Sequence, residues 1–496
     1  MKQKSLFFAA VVAVFFLFGF HKIMFLRPTS VHQWRQCDSA AYAFNYYDHN
    51  APFFFPETMT LLGENGRTIS EFPIIYYTAA QFYKVFGFHE WILRLLTFGF
   101  FVFGLYYLFK LGQMFFVHEY WAFFPPFFLM ASPLLSYYAL NFLPNVPGLG
   151  FSLVSWYFFY NFIKKRTLRD FIICSMAAMF AALLKPVEIF NYGAMLAICV
   201  FEYFGLFGLK KIRFDKKTTA FLLLSAIVTI GVNCVWIVYA KWYAERFGYI
   251  GNLLEVLPIW RLTFPEIREC WQVIRTKWLY QMYYPYVYGF LMLATVAIVV
   301  FNKKIDRHLF ISWLLVLFSQ IAFVLLFFQT FYHHDYYWIN TLIFVAFTLL
   351  CCISLVEKMK FSYANIVAPT VFSLFFLITI KHSRFIIQER YFGNLREELN
   401  PVLLHLKPYL RSIGIQKEDK VISVPDRSPN ISLYFMEQKG WSECYTNEQR
   451  NIKHFVEQGA KYLIVNKEID RKKEWYTPYL KNQIGEFEGV KIYKLF

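Results

Sequence analysis

The sequence has 496 residues, of which 58% are hydrophobic and 22% aromatic, while only 17% are charged. Soluble domains usually carry about 25% charged residues, and the apolar residues here come in long blocks without alternation or heptads. This composition excludes an ordinary soluble enzyme and predicts that most of the chain lies in lipid.

The formal net charge of +17 does not indicate a nucleic-acid partner, because charged residues are concentrated at one end. Residues 381–496 hold 35 charged residues in 116 positions, whereas residues 1–380 hold 48 in 380. We therefore predict a transmembrane domain over residues 1–380 and a small soluble domain over residues 381–496.

Eleven apolar stretches are candidates for membrane spans, since crossing the hydrocarbon core takes about 17 to 25 apolar residues. They lie at 5–26, 91–109, 121–140, 146–163, 170–184, 188–208, 218–240, 287–301, 309–330, 338–356 and 361–380. The first resembles a signal peptide, but no small-residue cleavage site follows it, so we expect it to remain as an anchor.

The distribution of Lys and Arg predicts the orientation, because cytoplasmic loops are enriched in them. With the N-terminus in the cytoplasm, the cytoplasmic segments hold 17 Lys and Arg in 41 positions and the opposite side holds 11 in 125. The odd number of spans then places the C-terminal domain outside. Two long loops, 27–90 and 241–286, lie on the same side, and loops of this length usually carry function or structure of their own.

The second long loop and the C-terminal tail, both predicted on the outer side, differ in composition. The loop 241–286 has Trp and Tyr among Arg and Lys, a composition typical of helices in the membrane interface. The tail alternates predicted helices with predicted strands, which favours a small α/β domain. The helices are predicted near 393–412, at 432–438 and near 446–458, and the strands at 420–424, 462–466 and 490–495.

Asp38 is the first candidate for chemistry. It lies in the first long loop among Trp34, Cys37 and Ala40, close to the membrane. Such surroundings predict a raised pKa or a paired charge, and hence a candidate base. The alternative is a structural ion pair with Arg35, three residues earlier on a helix.

Glu71 is a second acidic candidate on the same predicted side of the membrane. Pro73 follows it and indicates the beginning of a helix. The alternative to a catalytic role is an acid that interacts favourably with the dipole of that helix.

Lys185 interrupts an otherwise apolar run from Phe171 to Val200. Ionisable groups at membrane depth cost about 2.5 to 3.5 kcal/mol and usually have a function. Since Lys185 is predicted at the outer interface, it could bind a phosphate. The alternatives are a pair with Glu188 and a side chain that reaches out to the interface.

The outer turn after the predicted span 309–330 contains His333, His334, Tyr336 and Tyr337 around an aspartate. Adjacent histidines of an extended chain point to opposite faces, so a closed metal site is disfavoured. Hydrogen bonds from imidazole and phenol to a phosphate or sugar are favoured instead, and an interfacial aromatic belt is the alternative.

All these candidates fall on one predicted side of the membrane. Acids for proton transfer and cations for a leaving phosphate predict a group transfer from a lipid phosphate to an acceptor. Two other functions stay open. A flippase or transporter of lipid-linked glycans would place ionisable groups along a path through the membrane, and a glycan polymerase would share the chemistry and differ in its acceptor.

Three runs, Val31 to Ala40, Gly66 to Pro73 and Gly87 to Leu96, resemble bacterial glycosyltransferases of the dolichyl-phosphate-mannose-protein mannosyltransferase type. These belong, with the lipid A aminoarabinose transferases, to the membrane-embedded GT-C superfamily. The resemblance covers about residues 1–380 and extends to Leu184-Lys185-Pro186 and His334-Asp335-Tyr336-Tyr337. It implies a polytopic α-helical GT-C fold with about eleven transmembrane helices and a small extracytoplasmic α/β domain.

The resemblance also implies an inverting transfer of a sugar from a polyprenyl phosphate to an acceptor hydroxyl, with Asp38 as the base. Many relatives have a second acid directly after this position, whereas this chain has Ser39, which draws attention to Glu71. We expect Glu71 to orient the acceptor or a divalent ion. We expect Lys185, with His333 or His334, to hold the departing phosphate, and Arg35 to tune Asp38 or to contact the phosphate.

The expected partners are a polyprenyl-phosphate-linked sugar donor, membrane lipids, and a glycan, lipid or protein acceptor. No nucleic acid is expected. The expected location is a bacterial inner membrane with a cytoplasmic N-terminus. No cofactor is indicated by a motif, but some relatives are metal-dependent, so a divalent metal ion at Asp38 and Glu71 stays open.

Overall fold

The computed structural model of the protein describes residues 2–248, 256–358, 364–396, 400–444, 452–466 and 478–496. The chain divides into two compact units. The first unit combines residues 1–25, 94–238 and 254–389, and the second combines residues 26–93, 239–253 and 390–496. Each unit is therefore built from segments that are far apart in the sequence.

Apolar helices dominate the first unit. In the part of the chain that the structure describes, six helices are long and apolar enough to cross a membrane, and a seventh span is added if the bent pair Phe264–Met282 and Pro285–Val300 counts as one. The α-helices outside the first long loop and the tail are Lys2–Leu17, Phe20–Ile23, Glu90–Phe115, Phe124–Met130, Pro133–Ala139, Asn145–Lys165, Leu168–Leu184, Ile189–Phe204, Lys216–Phe247, Phe264–Val273, Leu279–Met282, Pro285–Val300, Arg307–Leu326, Phe328–His333, Trp338–Glu357 and Ala364–Phe392. A multi-pass membrane fold is thus confirmed, while the number of eleven spans stays a prediction.

Two of the predicted spans are interrupted. The continuous span predicted over 121–140 is wrong, because Ser132 ends one short helix and caps the next by accepting a hydrogen bond from the Leu135 backbone N–H at 3.4 Å. Pro133 has no N–H to continue a helix. In the first predicted span, the helix that begins at Lys2 breaks after Leu17, where Gly19 adopts a left-handed φ of 73°.

A five-stranded sheet forms the core of the tail. The strands are β1 (Lys420–Val424), β2 (Gly440–Ser442), β3 (Ala460–Val465), β4 (Gln483–Phe487) and β5 (Val490–Lys494). They lie in the order β2-β1-β3-β5-β4, with β1 parallel to β2 and β3, and β5 antiparallel to β3 and β4. The strands predicted at 420–424, 462–466 and 490–495 are confirmed within a residue or two. The sequence does not predict β2, which has three residues, or β4, which contains a glycine.

The second unit also contains short helices, whose α-helical bounds are Gln33–Asp48, Ile74–Phe86, Leu406–Ser412, Ile431–Met436 and Ile452–Glu457. The helix predicted near 393–412 is wrong in its first half, because the preceding helix extends to Phe392 and residues 401–404 form a 3-10 turn. Residues 446–451 of another predicted helix lie outside the described residues.

The first long loop extends the sheet of the tail. Thr60 pairs in parallel with Gly440 of β2. The Leu61 N–H donates to the Gly440 carbonyl at 2.7 Å, and the Gly440 N–H donates to the Met59 carbonyl at 3.2 Å. The Trp441 indole N–H also donates to the Leu61 carbonyl at 3.2 Å. The loop thereby covers an edge strand that would otherwise expose unpaired backbone groups.

Trp441→Ala is expected to destabilise this joint of loop and tail. Trp441 is 2% exposed, and its ring stacks on Phe455 with centroids 5.1 Å apart. Truncation of a buried tryptophan costs about 3 to 5 kcal/mol. The apparent melting temperature of the purified full chain should fall by several degrees. Trp260→Ala, at a position that is 65% exposed, is the control, and an equal shift for both variants would contradict the expectation.

Candidate active site

Asp38 lies on the helix Gln33–Asp48, whose inner face is buried at Cys37, Ala41 and Tyr42. Asp38 itself is half-buried. Burial raises the pKa of Asp38 to about 7, well above the usual range of an aspartate; Arg35 opposes the rise and Glu71 adds to it. A carboxyl group with a pKa near neutrality is suited to accept a proton.

Arg35 and Glu71 form a largely buried ion pair next to Asp38. Arg35 Nη2 lies 2.6 Å from Glu71 Oε1, and the two side chains are 11% and 8% exposed. Arg35 donates a further bond to Ser70 Oγ at 2.8 Å, and the hydroxyls of Ser70 and Tyr76 donate to Glu71. Glu71 is therefore fixed by one cation and two hydroxyls, which a simple helix-dipole role does not require.

We call Arg35, Asp38, Ser70, Glu71 and Tyr76 the Asp38 cluster. Ser39, which stands where many relatives have an acid, lies with its hydroxyl 3.1 Å from Tyr76 OH. Ser39 thus supports the hydroxyl network around Glu71.

The Asp38 cluster fits a divalent metal ion poorly. Glu71 is already paired with a guanidinium, which a metal ion would have to displace. In the part of the chain that the structure describes, no three or more His, Cys, Asp or Glu side chains are grouped so that they could hold a metal ion. These observations disfavour a divalent ion at Asp38 and Glu71, and its presence there stays an untested prediction.

Asn430, in the tail, reaches the helix that carries Asp38. Its Nδ2 donates to the Cys37 carbonyl at 3.4 Å, its Oδ1 accepts the Met59 N–H at 3.1 Å, and its side chain is fully buried. In the sequence, Asn430 begins an Asn-Ile-Ser triplet, which fits a glycosylation acceptor. No local pattern could have linked it to Asp38, because the two residues are almost four hundred positions apart.

Lys185 lies at the break between two helices of the first unit. The helix Leu168–Leu184 ends directly before it, its backbone is extended, and Pro186 follows. Lys185 Nζ lies 4.7 Å from the ring centroid of Tyr337 and 5.5 Å from that of Tyr336. A cation held over two aromatic rings is oriented and partly shielded from water.

The predicted His-Tyr residues surround this lysine. His334 stacks on Tyr336 with ring centroids 5.3 Å apart, and Asp335, between them in the sequence, is fully buried and accepts a bond from Tyr138 OH at 2.6 Å. His333 is exposed and packs its ring against that of Tyr332. His333 thus lies at the exposed edge of the group. We call Lys185, His334, Asp335, Tyr336 and Tyr337 the Lys185 cluster.

Glu188 is 2% exposed and bonded to polar side chains of three helices. It accepts hydrogen bonds from Ser152 Oγ at 2.6 Å, from Asn191 Nδ2 at 2.7 Å and from the amide of Asn340. Each of these three residues is a polar residue in a mainly apolar helix, which indicates a function or a buried hydrogen-bond network. Glu188 therefore fixes the turn that carries Lys185.

The structure thus brings the predicted residues together in two groups. Arg35, Asp38 and Glu71 share the Asp38 cluster in the second unit, and Lys185, His334 and both tyrosines share the Lys185 cluster in the first. That the two clusters serve one reaction stays a prediction.

Comparisons with known proteins agree with the resemblance found in the sequence. Residues 70–237 match the family model of dolichyl-phosphate-mannose-protein mannosyltransferase. Glu71 and Lys185 fall within the matched region, and Asp38 precedes it. A search of curated protein sequences found no match.

Solved structures share the fold over nearly the whole chain. ArnT from Cupriavidus metallidurans in the apo state is similar with a TM-score of 0.61 at 12% identity, over 100% of this chain and 98% of that chain. The same protein bound to undecaprenyl phosphate gives a TM-score of 0.60 at 12% identity, with the same coverage. AglB from Archaeoglobus fulgidus, in complex with an inhibitory peptide and a dolichol-phosphate, gives 0.51 at 14% identity, over 93% of this chain and 69% of that chain.

The arabinofuranosyltransferase AftD from Mycobacteria is similar with a TM-score of 0.57 at 11% identity, over 99% of this chain and 40% of that chain. At these identities the likeness shows the fold. The predicted helical membrane fold with a small C-terminal sheet is thereby confirmed, and the match of residues 70–237 to the family model agrees with the predicted resemblance.

Proposed function

We propose, from the fold that this chain shares with GT-C glycosyltransferases, that it is an inverting glycosyltransferase. It moves a sugar from a polyprenyl-phosphate donor to the hydroxyl of a glycan, lipid or protein acceptor. The observation that carries the proposal is the Asp38 cluster, in which the carboxyl group of the half-buried Asp38, with its pKa raised to about 7, lies beside a fixed Arg35–Glu71 pair.

Asp38 is the proposed base. The acceptor oxygen attacks the anomeric carbon of the donor sugar and its proton passes to the Asp38 carboxylate. The bond between the anomeric carbon and the phosphate oxygen breaks on the opposite face, and its electron pair leaves with the polyprenyl phosphate. Glu71, fixed by Arg35, Ser70 and Tyr76, orients the acceptor hydroxyl.

The Lys185 cluster is the proposed phosphate site. The leaving phosphate gains negative charge during the reaction, and cations oriented in a site of low dielectric stabilise such charge best. Lys185 supplies the cation, and His334, Tyr336 and Tyr337 supply ring N–H and hydroxyl donors, with His333 at the edge. The ArnT structure bound to undecaprenyl phosphate and the AglB structure with a dolichol-phosphate support a polyprenyl phosphate as the carrier.

The proposed location is the outer face of a bacterial inner membrane. The excess of Lys and Arg in the short loops assigned to the cytoplasm supports this orientation. The donor and acceptor would then meet outside the cytoplasm, where the two long loops and the tail are predicted to lie.

The purified full chain in proteoliposomes tests the proposed function. The probes are undecaprenyl-phosphate-linked mannose and undecaprenyl-phosphate-linked aminoarabinose, and release of undecaprenyl phosphate is measured with and without added acceptors. We expect release of undecaprenyl phosphate together with transfer of the sugar. Passage of the intact donor across the bilayer without release would indicate the transporter, and extension of an added glycan by repeat units would indicate the polymerase.

The rate of transfer is expected to depend on pH with a midpoint near 7. The pKa of Asp38 is raised, so the carboxylate that accepts the proton is present above about pH 7 and is lost as the pH falls through that value. The measurement is kcat for sugar release between pH 5 and 9, and we expect about a tenfold fall for each unit below the midpoint. A profile that is flat over this range would contradict Asp38 as the base.

A further inference from the structure

A chain of buried amides connects Glu188 to the proposed phosphate site. Asn340 Nδ2 donates to Glu188 Oε1, and Asn340 Oδ1 accepts the side-chain N–H of Asn145 at 3.1 Å. The same Asn145 nitrogen donates to the backbone carbonyl of Tyr336, also at 3.1 Å. The ring of Tyr336 faces Lys185, whose Nζ lies 5.5 Å from the ring centroid. The chain therefore begins at Glu188 and ends at a residue of the Lys185 cluster.

The turn between Lys185 and Glu188 closes this chain on itself. The Glu188 N–H donates to the Lys185 carbonyl at 2.9 Å, within the 3-10 turn Pro186–Glu188. Asn145, Glu188 and Asn340 are 0%, 2% and 3% exposed, so bulk water is not available to replace their hydrogen bonds. We call these three residues the Glu188 network.

The direction of each hydrogen bond in the Glu188 network is fixed. A backbone carbonyl can only accept, so the nitrogen of Asn145 must face Tyr336. The atom of Asn340 that faces this nitrogen must then be the amide oxygen, and the amide nitrogen of Asn340 points to Glu188. Neither asparagine can turn its amide around without setting two donors or two acceptors against each other.

A second chain reaches Glu188 with the same direction. The indole N–H of Trp156, which can only donate, donates to Asn191 Oδ1 at 3.1 Å. Asn191 Nδ2 therefore faces Glu188 Oε2, at 2.7 Å. Glu188 thus receives an amide N–H on each of its two oxygens. An acid can accept both bonds, whereas a glutamine would set its own NH2 against Asn340 or against Asn191.

We propose that Glu188 is a positioning residue of the phosphate site, which orients Lys185 and Tyr336 toward the polyprenyl phosphate through the Glu188 network. This inference rests on the proposed function, in which the Lys185 cluster holds the leaving phosphate. Glu188 itself does not touch the phosphate, and it acts through the turn and the amides that it holds.

The physical reason is the freedom of a lysine side chain. Lys185 presents its charge at the end of a flexible four-carbon stem, so the surrounding structure must determine where that charge lies. A misplacement of about 1 Å in a reacting group can cost about 100-fold in rate. The Glu188 network fixes both the backbone turn of Lys185 and the backbone of Tyr336, and it is therefore suited to hold the cation and the aromatic ring in register.

Glu188→Gln is the first test. Glutamine has the size of glutamate, but its NH2 interrupts one of the two amide chains. We expect kcat/KM for the undecaprenyl-phosphate-linked sugar to fall about 10- to 100-fold, and the Kd for undecaprenyl phosphate to rise by a similar factor. The measurements are sugar release in proteoliposomes and titration of the purified full chain with undecaprenyl phosphate. Asn340→Leu, which removes the link without adding a donor, replaces Glu188→Gln if that variant does not fold.

A second substitution should restore the network. In Glu188→Gln combined with Asn340→Asp, the new acid at position 340 accepts the glutamine N–H on one oxygen and the Asn145 N–H on the other. Asn340→Asp alone sets two acids against each other and should be impaired like Glu188→Gln. We expect the double variant to return to within about threefold of the parent in kcat/KM and in Kd. A double variant that is no better than either single variant would overturn the inference.

Glu202→Gln is the matched control. Glu188 stands directly before the helix Ile189–Phe204, and Glu202 lies in the last turn of that helix. Glu202 is 0% exposed, accepts a bond from Arg166 at 2.7 Å and lies 2.9 Å from His308 Nε2. The chemical change and the burial are alike, so Glu202→Gln should lower the melting temperature but leave the Kd for undecaprenyl phosphate unchanged. An equal loss of affinity in both variants would overturn the inference, and so would normal affinity and turnover in a folded Glu188→Gln protein.

The parent chain and Lys185→Gln, measured in the same two assays, separate the inference from the proposed function. If the parent binds undecaprenyl phosphate but transfers no sugar, while Glu188→Gln binds more weakly, the proposed transfer is wrong and the inference stands. If Lys185→Gln binds as tightly as the parent, the phosphate lies elsewhere and the inference falls with the site. If Lys185→Gln loses affinity and Glu188→Gln does not, the inference alone is wrong.

Discussion

Asp38→Asn is expected to lower kcat for sugar transfer by about 10²- to 10⁴-fold, the usual contribution of a positioned general base. Asparagine has the shape of aspartate but cannot take the acceptor proton. Because Asp38 is proposed to act in the transition state and not in donor binding, KM for the donor should change little. The measurement is release of undecaprenyl phosphate by the purified full chain in proteoliposomes.

Asp48→Asn provides the control for this variant. Asp48 is the last residue of the same helix, and its carboxylate pairs with Lys417. The substitution makes the same change in charge on the same helix without touching the Asp38 cluster, so kcat should stay within about twofold of the parent. An Asp38→Asn protein with the turnover of Asp48→Asn would remove Asp38 from the mechanism.

The positions of individual helices could be predicted, because a membrane-spanning helix is formed by one continuous apolar stretch of the sequence. The helices Glu90–Phe115 and Arg307–Leu326, both long and apolar enough to cross a membrane, coincide closely with the predicted spans 91–109 and 309–330. The local sequence also indicates the helix break at Ser132, because a capping residue stands there directly before Pro133. Hydropathy averaged over the window 121–140 does not detect this break.

The long-range part of the fold could not be predicted. Residues 59–61 join the sheet through Gly440 of β2, about 380 positions later. Both partners are short, so neither carries an alternating pattern that predicts a strand. Pairing of this kind depends on which surfaces meet after the helices have packed, and a single sequence does not contain that information.

The candidate site shows the same division. Asp38, Glu71 and Lys185 could be singled out because a charged residue in apolar surroundings is costly and calls for a reason. The residues that pair with them could not be predicted from the sequence. The spacing in the sequence suggests Arg35 as an intrahelical partner of Asp38 and Lys185 as a partner of Glu188. In the structure, Arg35 pairs closely with Glu71, 36 positions away, and Glu188 is bonded to hydroxyl and amide groups of three helices.

Residues missed by the sequence are therefore the neutral ones. Asn340 and Asn191 each donate a hydrogen bond to the Glu188 carboxylate, and Asn430 donates to the Cys37 carbonyl next to Asp38. An amide costs less to bury than a charge, so a buried asparagine is not conspicuous in the sequence. The geometry shows that Asn340 and Asn191 hold the Glu188 carboxylate.

Lys185→Gln is expected to lower kcat/KM for the donor by about 100- to 1000-fold, the cost of removing one oriented donor from a site where charge develops. Glutamine keeps a polar end, but its side chain is shorter by one methylene group and carries no charge for the leaving phosphate. Lys185→Arg keeps the charge over Tyr336 and Tyr337 and should retain more activity, although arginine is not equivalent to lysine in such a site. The measurement is the rate of sugar release, together with inhibition by undecaprenyl phosphate, which should be weaker in Lys185→Gln.

Lys164→Gln is the matched control, because Lys164 belongs to the same unit and its Nζ also lies over an aromatic ring, 5.4 Å from the centroid of Phe115. If the charge over a ring matters only for packing, Lys185→Gln and Lys164→Gln should lower the melting temperature and the activity to the same extent. If Lys185 holds the leaving phosphate, only Lys185→Gln should lose turnover and sensitivity to the product. Normal turnover and normal product inhibition in Lys185→Gln would place the phosphate elsewhere.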